Sequence, residues 1–526
     1  MSLAFALGRA GGGLLAGLVG GLAMTLTMLV LRTILGISPP LEMIPDRFAP
    51  TLTIDQFFGL IGQFGGYNEL KQFGVSSVLT GQLVVAGMLG AVYGVLARSA
   101  PTTGDSRQPS VWGRAATRFL IVVVAVLWIV SLVILWPTLP TSFIGLPPSV
   151  ARWVSAIGLL AAYVSYGLVL AFTYRTLIGP GPATTRTRDA SGITRRALLV
   201  TGLGAVLGVA TMAVGRRLWD MASFAYDGTR FFGPLMPVTP NSQFYVVTKN
   251  VVDPDVSRDI WRLEIGGYVT NPRTYAFSEI AGQPSVVQET TLMCISNGVG
   301  DALMSNAQWK GVPLRSLLDA AGPQPNAVEV LLRGADGYTD TIPLEKALDP
   351  ATLVVFEMNG EPLPRIHGFP VRLIVPGMYG EKNVKWVTGI EVVDRDVKGF
   401  YEQQGWGPDF VIPIRSRIYE PDVSQPVALG TTVRLRGIVF GGDKGISRAE
   451  VSLDGGQSWR EAELEYPGSR TSWAIWRYAF RPELPGNYYL AVRGFAADGT
   501  PQPSEDRGIV PSGGRGYHRV TLQVVA

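Results

Sequence analysis

Five long apolar segments that contain no charged residue lie within the first 215 residues and restrict the folds this chain can adopt. Each is about 20 residues long, which is the length a helix needs to cross a hydrocarbon core about 30 Å thick. Buried helices of a soluble protein usually carry a polar face, which these segments lack. We therefore predict an all-α bundle of five transmembrane helices at residues 11–31, 75–97, 119–136, 153–174 and 197–215.

Arginines in the connecting loops predict how these helices are oriented. The loops after the second and fourth segments carry mostly arginine, whereas the loop after the first segment has more acidic than basic residues. Arginine-rich loops stay in the cytoplasm. The N-terminus is therefore predicted to be cytoplasmic and everything after residue 215 extracytoplasmic, in a multi-pass protein of the cytoplasmic membrane that contacts the lipid bilayer.

Two adjacent arginines, Arg195 and Arg196, precede the fifth segment. Together with the moderately apolar stretch that follows, they resemble a twin-arginine export signal. A pair of arginines at the cytoplasmic end of an ordinary helix is the alternative interpretation. Export by the twin-arginine route would suit a domain that must acquire its cofactor before it crosses the membrane.

The composition excludes several classes of protein and site. A net charge of +4 is too small to make nucleic acid the expected partner. The single cysteine excludes intrachain disulfides, cysteine-held iron–sulfur clusters and covalently attached haem. With only two histidines, we expect no haem and no multi-histidine metal site. Any redox chemistry should therefore come from one bound cofactor.

The second half of the chain has short strand-like runs separated by glycine and proline. An α+β pattern surrounds a helical run at residues 314–321 and extends to about residue 412. About seven strands with hairpin turns follow, which is typical of an immunoglobulin-like β-sandwich. The predicted domains are a transmembrane region at 1–218, an α+β domain at 219–412 and an immunoglobulin-like domain at 413–526.

Three residues of the α+β region are candidates for chemistry. Cys294 follows a strand-like run and precedes a Ser/Asn/Gly loop, although a lone cysteine is more often a small buried hydrophobe. Arg372 and Lys385 stand among apolar strand residues and need an anionic partner, for which a bound phosphate is suitable. Glycines beside them, Gly377 and Gly380, permit the backbone to approach a ligand closely.

Several spaced segments, in the same order, resemble the sulfite oxidase family of molybdopterin-dependent oxidoreductases. The segment that contains Cys294 is similar to the one that binds molybdenum in that family. The similar segments are 239–245, 290–298, 309–314, 357–372, 375–380 and 383–386. The resemblance extends from about residue 237 to the C-terminus, where the last domain resembles the family's dimerisation domain.

This resemblance implies a single molybdopterin whose dithiolene holds molybdenum together with one protein thiolate, that of Cys294, as the metal ligand. It also implies oxygen-atom transfer, most like the oxidation of sulfite to sulfate. Electrons would pass to a c-type cytochrome, or to a quinone or haem partner at the membrane, and the C-terminal domain would form a homodimer. The residues that the resemblance places around the pterin and its phosphate are Tyr245, Asp336, His367, Arg372, Asn383, Val384 and Lys385.

The chain departs from the family at three positions near the substrate. Sulfite oxidases have two arginines and a tyrosine where this sequence has Val247, Val299 and Val397. Lys249, two residues beyond the first of these valines, is a catalytic candidate that would replace part of the lost positive charge.

Two alternatives to sulfite oxidation remain open. A less cationic site favours reduction of a sulfoxide, as in extracytoplasmic methionine sulfoxide reductases, over oxidation of a small oxyanion. The non-enzyme alternative is a receptor or adhesion module built on a decayed enzyme domain.

Overall fold

The computed structural model describes residues 3–97, 114–178, 195–228 and 233–526, and the chain divides into two compact units. The first unit comprises Met1–Ala49, Leu60–Ala222 and Asn250–Pro254. The second comprises Pro50–Gly59, Ser223–Lys249 and Asp255–Ala526. Pro50–Gly59 thus belongs to the second unit although helices of the first unit surround it in sequence. Asn250–Pro254 belongs to the first unit although residues of the second unit surround it in sequence.

Helices make up the regular structure of the N-terminal half. They are α1 (Leu3–Leu35), α2 (Pro40–Phe48), α3 (Ile54–Phe64), α4 (Tyr67–Leu96), α5 (Arg114–Leu135), α6 (Pro148–Ile178) and α7 (Arg195–Asp220). Five of these, α1 and α4 to α7, are long and apolar enough to cross a membrane, so the five predicted segments are helical and their crossing of a membrane stays a prediction. The arginine-rich loops at 98–113 and 179–194, and the side chains of Arg195 and Arg196, lie outside the described residues.

Small residues allow α1 to pack closely against α4. A Cβ atom on Gly90 would lie 2.3 Å from the carbonyl oxygen of Gly13, and one on Gly17 would lie 2.4 Å from that of Ala86. Such small-residue contacts are how helices associate in lipid, where the hydrophobic effect does not drive them together. Large apolar side chains such as Val133 and Ile157 are exposed (73% and 65%), as expected for helices surrounded by lipid.

Two five-stranded sheets, one mixed and one antiparallel, form the first part of the second unit. One sheet has the order β2-β1-β10-β5-β6, and the other has the order β3-β4-β7-β8 with β9 also paired to β7. The strands are β1 (Arg262–Gly267), β2 (Arg273–Ala276), β3 (Val286–Met293), β4 (Met304–Pro313), β5 (Glu329–Gly334), β6 (Thr339–Pro343), β7 (Leu353–Met358), β8 (Glu361–Pro362), β9 (Arg372–Ile374) and β10 (Val387–Val393). Three short helices accompany them: α8 (Phe277–Ala281), α9 (Leu314–Ala321) and α10 (Leu344–Ala347).

The predicted α+β architecture is confirmed, and α9 has the predicted bounds. It starts directly after Pro313, which ends β4, and it buries Leu314, Leu317 and Leu318 against the sheets. Trp261 and Trp386 are fully buried in the same core. This core holds the loops that follow β3 and β9, which carry Cys294 and residues 383–385, and Arg372 is the first residue of β9 itself.

The C-terminal part of the second unit is one curled sheet of eight strands. They are β11 (Arg415–Glu420), β12 (Val427–Ala428), β13 (Val433–Phe440), β14 (Ile446–Ser452), β15 (Arg460–Tyr466), β16 (Ala474–Phe480), β17 (Gly486–Ala496) and β18 (His518–Val525). Their order is β11-β13-β16-β15-β14-β17-β18-β12. An immunoglobulin-like sandwich is not confirmed, because β15 pairs with both β14 and β16 and so joins the two halves into one sheet.

Candidate active site

Cys294 lies where β3 ends and the loop to β4 begins. Met293 pairs with Met304 across the β3–β4 hairpin, so the connecting loop starts at Cys294. The Cys294 N–H donates to the carbonyl of Leu303 (3.0 Å), and the Cys294 carbonyl accepts from the N–H of Asn297 (3.0 Å). The Asn297 Oδ1 accepts from the N–H of Leu303 (2.7 Å). The thiol is thus held on an ordered loop at a strand end, as the sequence predicted.

The surroundings of Cys294 keep its sulfur protonated near neutral pH. Burial, followed by the charge of Glu381, raises the thiol pKa to about 11. The Ser296 hydroxyl lies 3.1 Å from Sγ and opposes this shift. A thiol in such a place becomes a thiolate only when a cation is bound beside it.

Arg372 is the buried cation that the sequence suggested for a phosphate. Arg372 is the first residue of β9, and it is 5% exposed. Nη1 donates to the carbonyl of His367 (3.0 Å) and Nη2 to that of Asn383 (2.9 Å). Its Nε is buried and has no partner among the described residues. Burial lowers its pKa to about 10, so it stays charged at neutral pH and calls for an anion nearby.

Lys385 lies directly beside Arg372. A Cβ atom on Gly368 would be 3.0 Å from the Cβ of Arg372 and 3.2 Å from the Cβ of Lys385. Only a glycine therefore fits between these two cationic residues. The Lys385 Nζ donates to the carbonyls of Ile366 (3.1 Å) and Val247 (3.5 Å).

Asp336 and Lys249 belong to the same group of side chains. A Cβ atom on Gly334 would lie 2.5 Å from Oδ1 of Asp336 and 3.0 Å from the carbonyl oxygen of Lys385. The Asp336 Oδ1 accepts from the N–H of Tyr338 (3.1 Å), and its backbone carbonyl accepts from Nζ of Lys249 (3.0 Å). The structure therefore brings together three of the predicted cations: Lys249, Arg372 and Lys385.

Tyr245 and His367 flank Phe244 beside these cations. The Tyr245 ring stacks on Phe244 (centroids 5.6 Å apart), and the His367 ring meets Phe244 edge-on (5.4 Å). The His367 Nε2 donates to the carbonyl of Asn241 (2.9 Å), which keeps the imidazole in a fixed orientation. Burial raises the pKa of Tyr245, and charges on both Cys294 and Arg372 act on this phenol. The Tyr245 phenol is thus near enough to both Cys294 and Arg372 for their charges to influence its pKa.

Asn383 and Val384 shape the backbone more than they present side chains. The Asn383 Oδ1 accepts from the N–H of Val375 (2.7 Å), and its Nδ2 donates to the carbonyl of Tyr379 (2.9 Å). Val384 is buried, and its carbonyl accepts from the N–H of Leu373 (2.9 Å). If these two residues bind the cofactor as predicted, they would do so through the backbone.

Sequence reasoning missed two sets of charged residues around this site. Arg415, at the start of β11, donates from Nη2 to the carbonyls of Asn297 (3.2 Å) and Gly298 (2.7 Å), so the C-terminal sheet supports the Cys294 loop. The other set is Asp340, Glu381, Lys382 and Glu402, described below. Asp340 stands in β6 between Thr339 and Thr341, so it lacks the apolar neighbours in sequence that identified Arg372.

The site near the thiol is apolar where sulfite oxidases carry arginine. Val247 packs against the same hydrophobic cluster as Cys294 and Phe369. Val299 is partly buried in the Cys294 loop, and the N–H of Val397 donates to Glu329 (3.0 Å). Among the described residues there is no group of three or more His, Cys, Asp or Glu that could hold a metal ion. A metal bound here would need most of its ligands from a cofactor.

Comparison with known proteins identifies the family. Residues 250–401 match the oxidoreductase molybdopterin binding domain, and residues 409–500 match the Mo-co oxidoreductase dimerisation domain. Mitochondrial sulfite oxidase of Rattus norvegicus is 32% identical over 288 residues, which cover 46% of this chain and 52% of that protein. This part of the chain, residues 250–500, belongs to the sulfite oxidase family of molybdopterin oxidoreductases.

Other members of the family show similar relationships. Nitrate reductase [NADH] 1 of Nicotiana tabacum is 31% identical over 300 residues, which cover 46% of this chain and 33% of that enzyme. The sulfane dehydrogenase SoxCD of Paracoccus pantotrophus has the same fold, with a TM-score of 0.50 and 24% identity. That match covers 55% of this chain and 82% of the SoxCD chain. The match to the mitochondrial sulfite oxidases spans about half of their length.

The residues present fit the molybdopterin of this family. Arg372 offers an unpartnered buried Nε, and the close packing of Gly368 against Arg372 and Lys385 brings these two cationic residues together. This combination suits the phosphate of a pterin cofactor. The soft sulfur of Cys294 suits a high-valent metal. When bound, the cofactor would supply two-electron redox chemistry, and the protein would supply orientation and electrostatics.

Proposed function

We propose that this protein is a membrane-anchored molybdenum-cofactor oxidoreductase that transfers an oxygen atom, most like the oxidation of sulfite to sulfate. The observation that carries the proposal is the chain's single thiol on an ordered loop at the end of β3, in the same unit as the buried, partly unpartnered guanidinium of Arg372. The names of the relatives, sulfite oxidases among them, support the same reaction class. A decayed enzyme domain would have no need to retain these buried charges.

Each predicted residue has a distinct task in this proposal. Cys294 would bind the metal, and Arg372 with Lys385 would bind the cofactor's phosphate. His367 and Tyr245 would orient the pterin, with Asp336, Asn383 and Val384 completing the cofactor site, since their hydrogen bonds or packing fix them in place. Lys249, near the cofactor group, would place positive charge beside the substrate.

A second candidate reaction is the reduction of a neutral sulfoxide. One observation favours it: Val247 packs against the same hydrophobic cluster as Cys294, at a position where sulfite oxidases carry an arginine. Without that positive charge the site attracts an anion such as sulfite less strongly and tolerates an uncharged substrate.

One pair of assays separates the two reactions. The full chain would be purified in detergent with its molybdenum, then tested for sulfite oxidation with an oxidising dye and for sulfoxide reduction with a reduced dye. Sulfite turnover that is lost in Cys294→Ser supports the first candidate, and sulfoxide turnover without sulfite turnover supports the second. A molybdenum-loaded protein that catalyses neither reaction would refute the proposal.

The proposal includes an extracytoplasmic location for the second unit. Pro50–Gly59 lies between the first two apolar helices in sequence but belongs to that unit. Ile54 is buried in the unit's core, and the ring of Phe58 lies 6.1 Å from that of Trp406. A loop that folds into the core of a domain lies on the same side of the membrane as that domain. This agrees with a cytoplasmic N-terminus, as the loop charges predict.

The remaining parts of the proposal concern partners and domains. We propose the boundaries 1–218, 219–412 and 413–526, with homodimerisation through the last domain, in line with its match to a dimerisation domain. Molybdopterin would be the only redox group, without haem or an iron–sulfur cluster. Electrons would then pass to a c-type cytochrome or to a quinone or haem partner at the membrane, which the anchor would keep nearby.

A further inference from the structure

A cluster of buried ionisable side chains extends from the vicinity of Cys294 to a partly exposed glutamate. Its members are Tyr338, Asp340, Glu381, Lys382 and Glu402, and we refer to them as the buried charge cluster. None of these residues has a proposed role in metal, cofactor or substrate binding.

Glu381 forms the inner end of the cluster. Both of its carboxylate oxygens are inaccessible to solvent, and neither has a hydrogen-bond partner among the described residues. The amide of Ile295, the residue after Cys294, lies close enough to influence the carboxyl group. A buried carboxylate without partners is costly, so the group is stable mainly when it carries a proton.

The middle of the cluster is a tight chain of hydrogen bonds. The Tyr338 hydroxyl donates to Oδ2 of Asp340 (2.6 Å) and lies 3.3 Å from the carbonyl oxygen of Glu381. Nζ of Lys382 donates to Oδ1 of Asp340 (2.7 Å) and also to Oε1 of Glu402. Asp340 and Lys382 are each 2% exposed, whereas Glu402 is 16% exposed and forms the outer end.

The charges of the cluster do not balance when all its members are ionised. Three carboxylates, those of Asp340, Glu381 and Glu402, surround the single ammonium of Lys382. Like charges in a buried site cannot all ionise, so the carboxylates share at least one proton. Besides Lys382 and Tyr338, the charged and titratable groups that face the cluster include Cys294, Tyr245, Glu329, Tyr379 and Tyr401.

The pKa shifts agree with this geometry. Burial, followed by the charge of Asp340, raises the pKa of Glu381 to about 8. Burial also raises the pKa of Asp340, although Lys382 opposes the shift. Groups with pKa values near the working pH can both accept and release a proton.

We propose that the buried charge cluster is the route by which protons pass between the Cys294 site and solvent. The inference rests on the proposed function, because oxygen-atom transfer moves protons in either direction. Oxidation of a substrate X follows X + H2O → XO + 2 H⁺ + 2 e⁻, with the electrons going to a cytochrome or quinone carrier. The protons have to leave a site from which bulk water is excluded, and reduction of XO requires them to enter.

In this route Glu381 takes up or releases the proton at its inner end, and Asp340 with Lys382 passes it on. Glu402 exchanges it with solvent, and water carries it across gaps that side chains do not bridge. Gly399 has to be glycine for this arrangement, since a Cβ atom there would lie 2.6 Å from Oδ1 of Asp340.

Turnover of the full-length, molybdenum-loaded protein tests the outer end of the route. Glu402→Gln should retain molybdenum and pterin but lose roughly 10²-fold in turnover, the size of a lost proton-transfer group. Added formate or imidazole should restore part of the rate, because small weak acids and bases can carry the proton instead. The matched control is Glu345→Gln, which changes an exposed residue of α10 and should behave as the wild type. Unchanged turnover in Glu402→Gln, or a loss that no weak acid rescues, would overturn the proposal.

Infrared spectroscopy tests the inner end without any assay of activity. The wild type near neutral pH should show the carbonyl stretch of a protonated carboxyl group, which Glu381→Gln should remove and Glu345→Gln should retain. An unchanged band in Glu381→Gln overturns the proton route even in a protein with normal turnover. If the wild type catalyses neither reaction, the proposed function fails, and the band still decides whether Glu381 holds a proton.

Discussion

At the scale of single residues, a charge within an apolar strand was the most informative signal in this sequence. Arg372 was identified in this way, and the structure shows it buried with an unpartnered Nε. Lys382 escaped notice because its partners, Asp340 and Glu402, are 42 and 20 residues away in sequence. The role of such a residue depends on contacts that only the fold creates.

The first residue-scale prediction concerns cofactor retention. Arg372→Met should lose most of the bound pterin, because an anion left without its buried partner costs about 2–5 kcal/mol. Pterin released from the purified protein can be quantified by its fluorescence. Arg333→Met is the matched control, since Arg333 is half-buried on β5 and pairs with Glu391 (3.3 Å). Equal pterin content in the two variants would contradict the assignment.

At the scale of elements, local patterns predicted where helices and strands lie but not how strands pair. The run 314–321 became α9 without any change of bounds, because its apolar spacing and the preceding proline define a helix. β15 is hard to recognise from the sequence, because Arg460, Glu461, Glu463 and Glu465 obscure the alternation around buried Ala462. This strand joins both halves of the C-terminal sheet, so the structure has one sheet where an immunoglobulin-like sandwich has two.

The packing of α1 against α4 gives a prediction at this scale. Gly90→Ala should destabilise the helical unit by about 1–3 kcal/mol, the usual cost of overpacking, because its Cβ would lie 2.3 Å from the carbonyl oxygen of Gly13. Gly81→Ala on the same helix is the control, since no atom lies within 4 Å of a Cβ there. Thermal unfolding in detergent measures both variants. Equal midpoints would mean that the close helix contact is not formed.

The contact between β11 and β18 predicts a dependence of stability on pH. The N–H of Ile418 donates to Nδ1 of His518 (3.0 Å), so this ring has to stay neutral. Burial, and then the charges of Arg417 and Arg415, lower the pKa of His518 from 6.5 to about 4. The unfolded chain therefore binds a proton in this range while the folded protein does not, and stability falls as the pH drops from 6.5 towards 4.

The measurement compares the wild type with His518→Asn, which cannot titrate here. Thermal midpoints of the second unit should fall more steeply for the wild type between pH 6.5 and about 4, by up to about 3 kcal/mol in unfolding free energy. Parallel curves for the two proteins would show that His518 titrates normally.

At the scale of the whole molecule, the chain combines a hydrophobic helical unit with an oxidoreductase unit, and hydropathy alone separated the two. The sequence did not indicate that Pro50–Gly59 belongs to the second unit or Asn250–Pro254 to the first. Lys71 donates to the carbonyl of Asn250 (3.3 Å), and Arg32 to that of Val252 (3.1 Å). Contacts over such sequence separations leave no local pattern.

Reporter fusions test the predicted topology of this arrangement. A phosphatase reporter, active only outside the cytoplasm, should be silent after Arg107 and active at Ala526. Inserted at Gly65, in the loop after the first apolar helix, it should also be active, because the preceding residues of that loop belong to the second unit. The reverse pattern at any of these positions would refute the orientation.

The central claim is that Cys294 binds molybdenum, and X-ray absorption at the molybdenum edge tests it most directly. The wild type and Cys294→Ser would be purified as full chains and compared at equal molybdenum and pterin content. The account predicts one sulfur ligand fewer in the variant, together with loss of turnover, because a serine hydroxyl is a harder and weaker donor. The same sulfur coordination in both proteins, or full activity in Cys294→Ser, would contradict it.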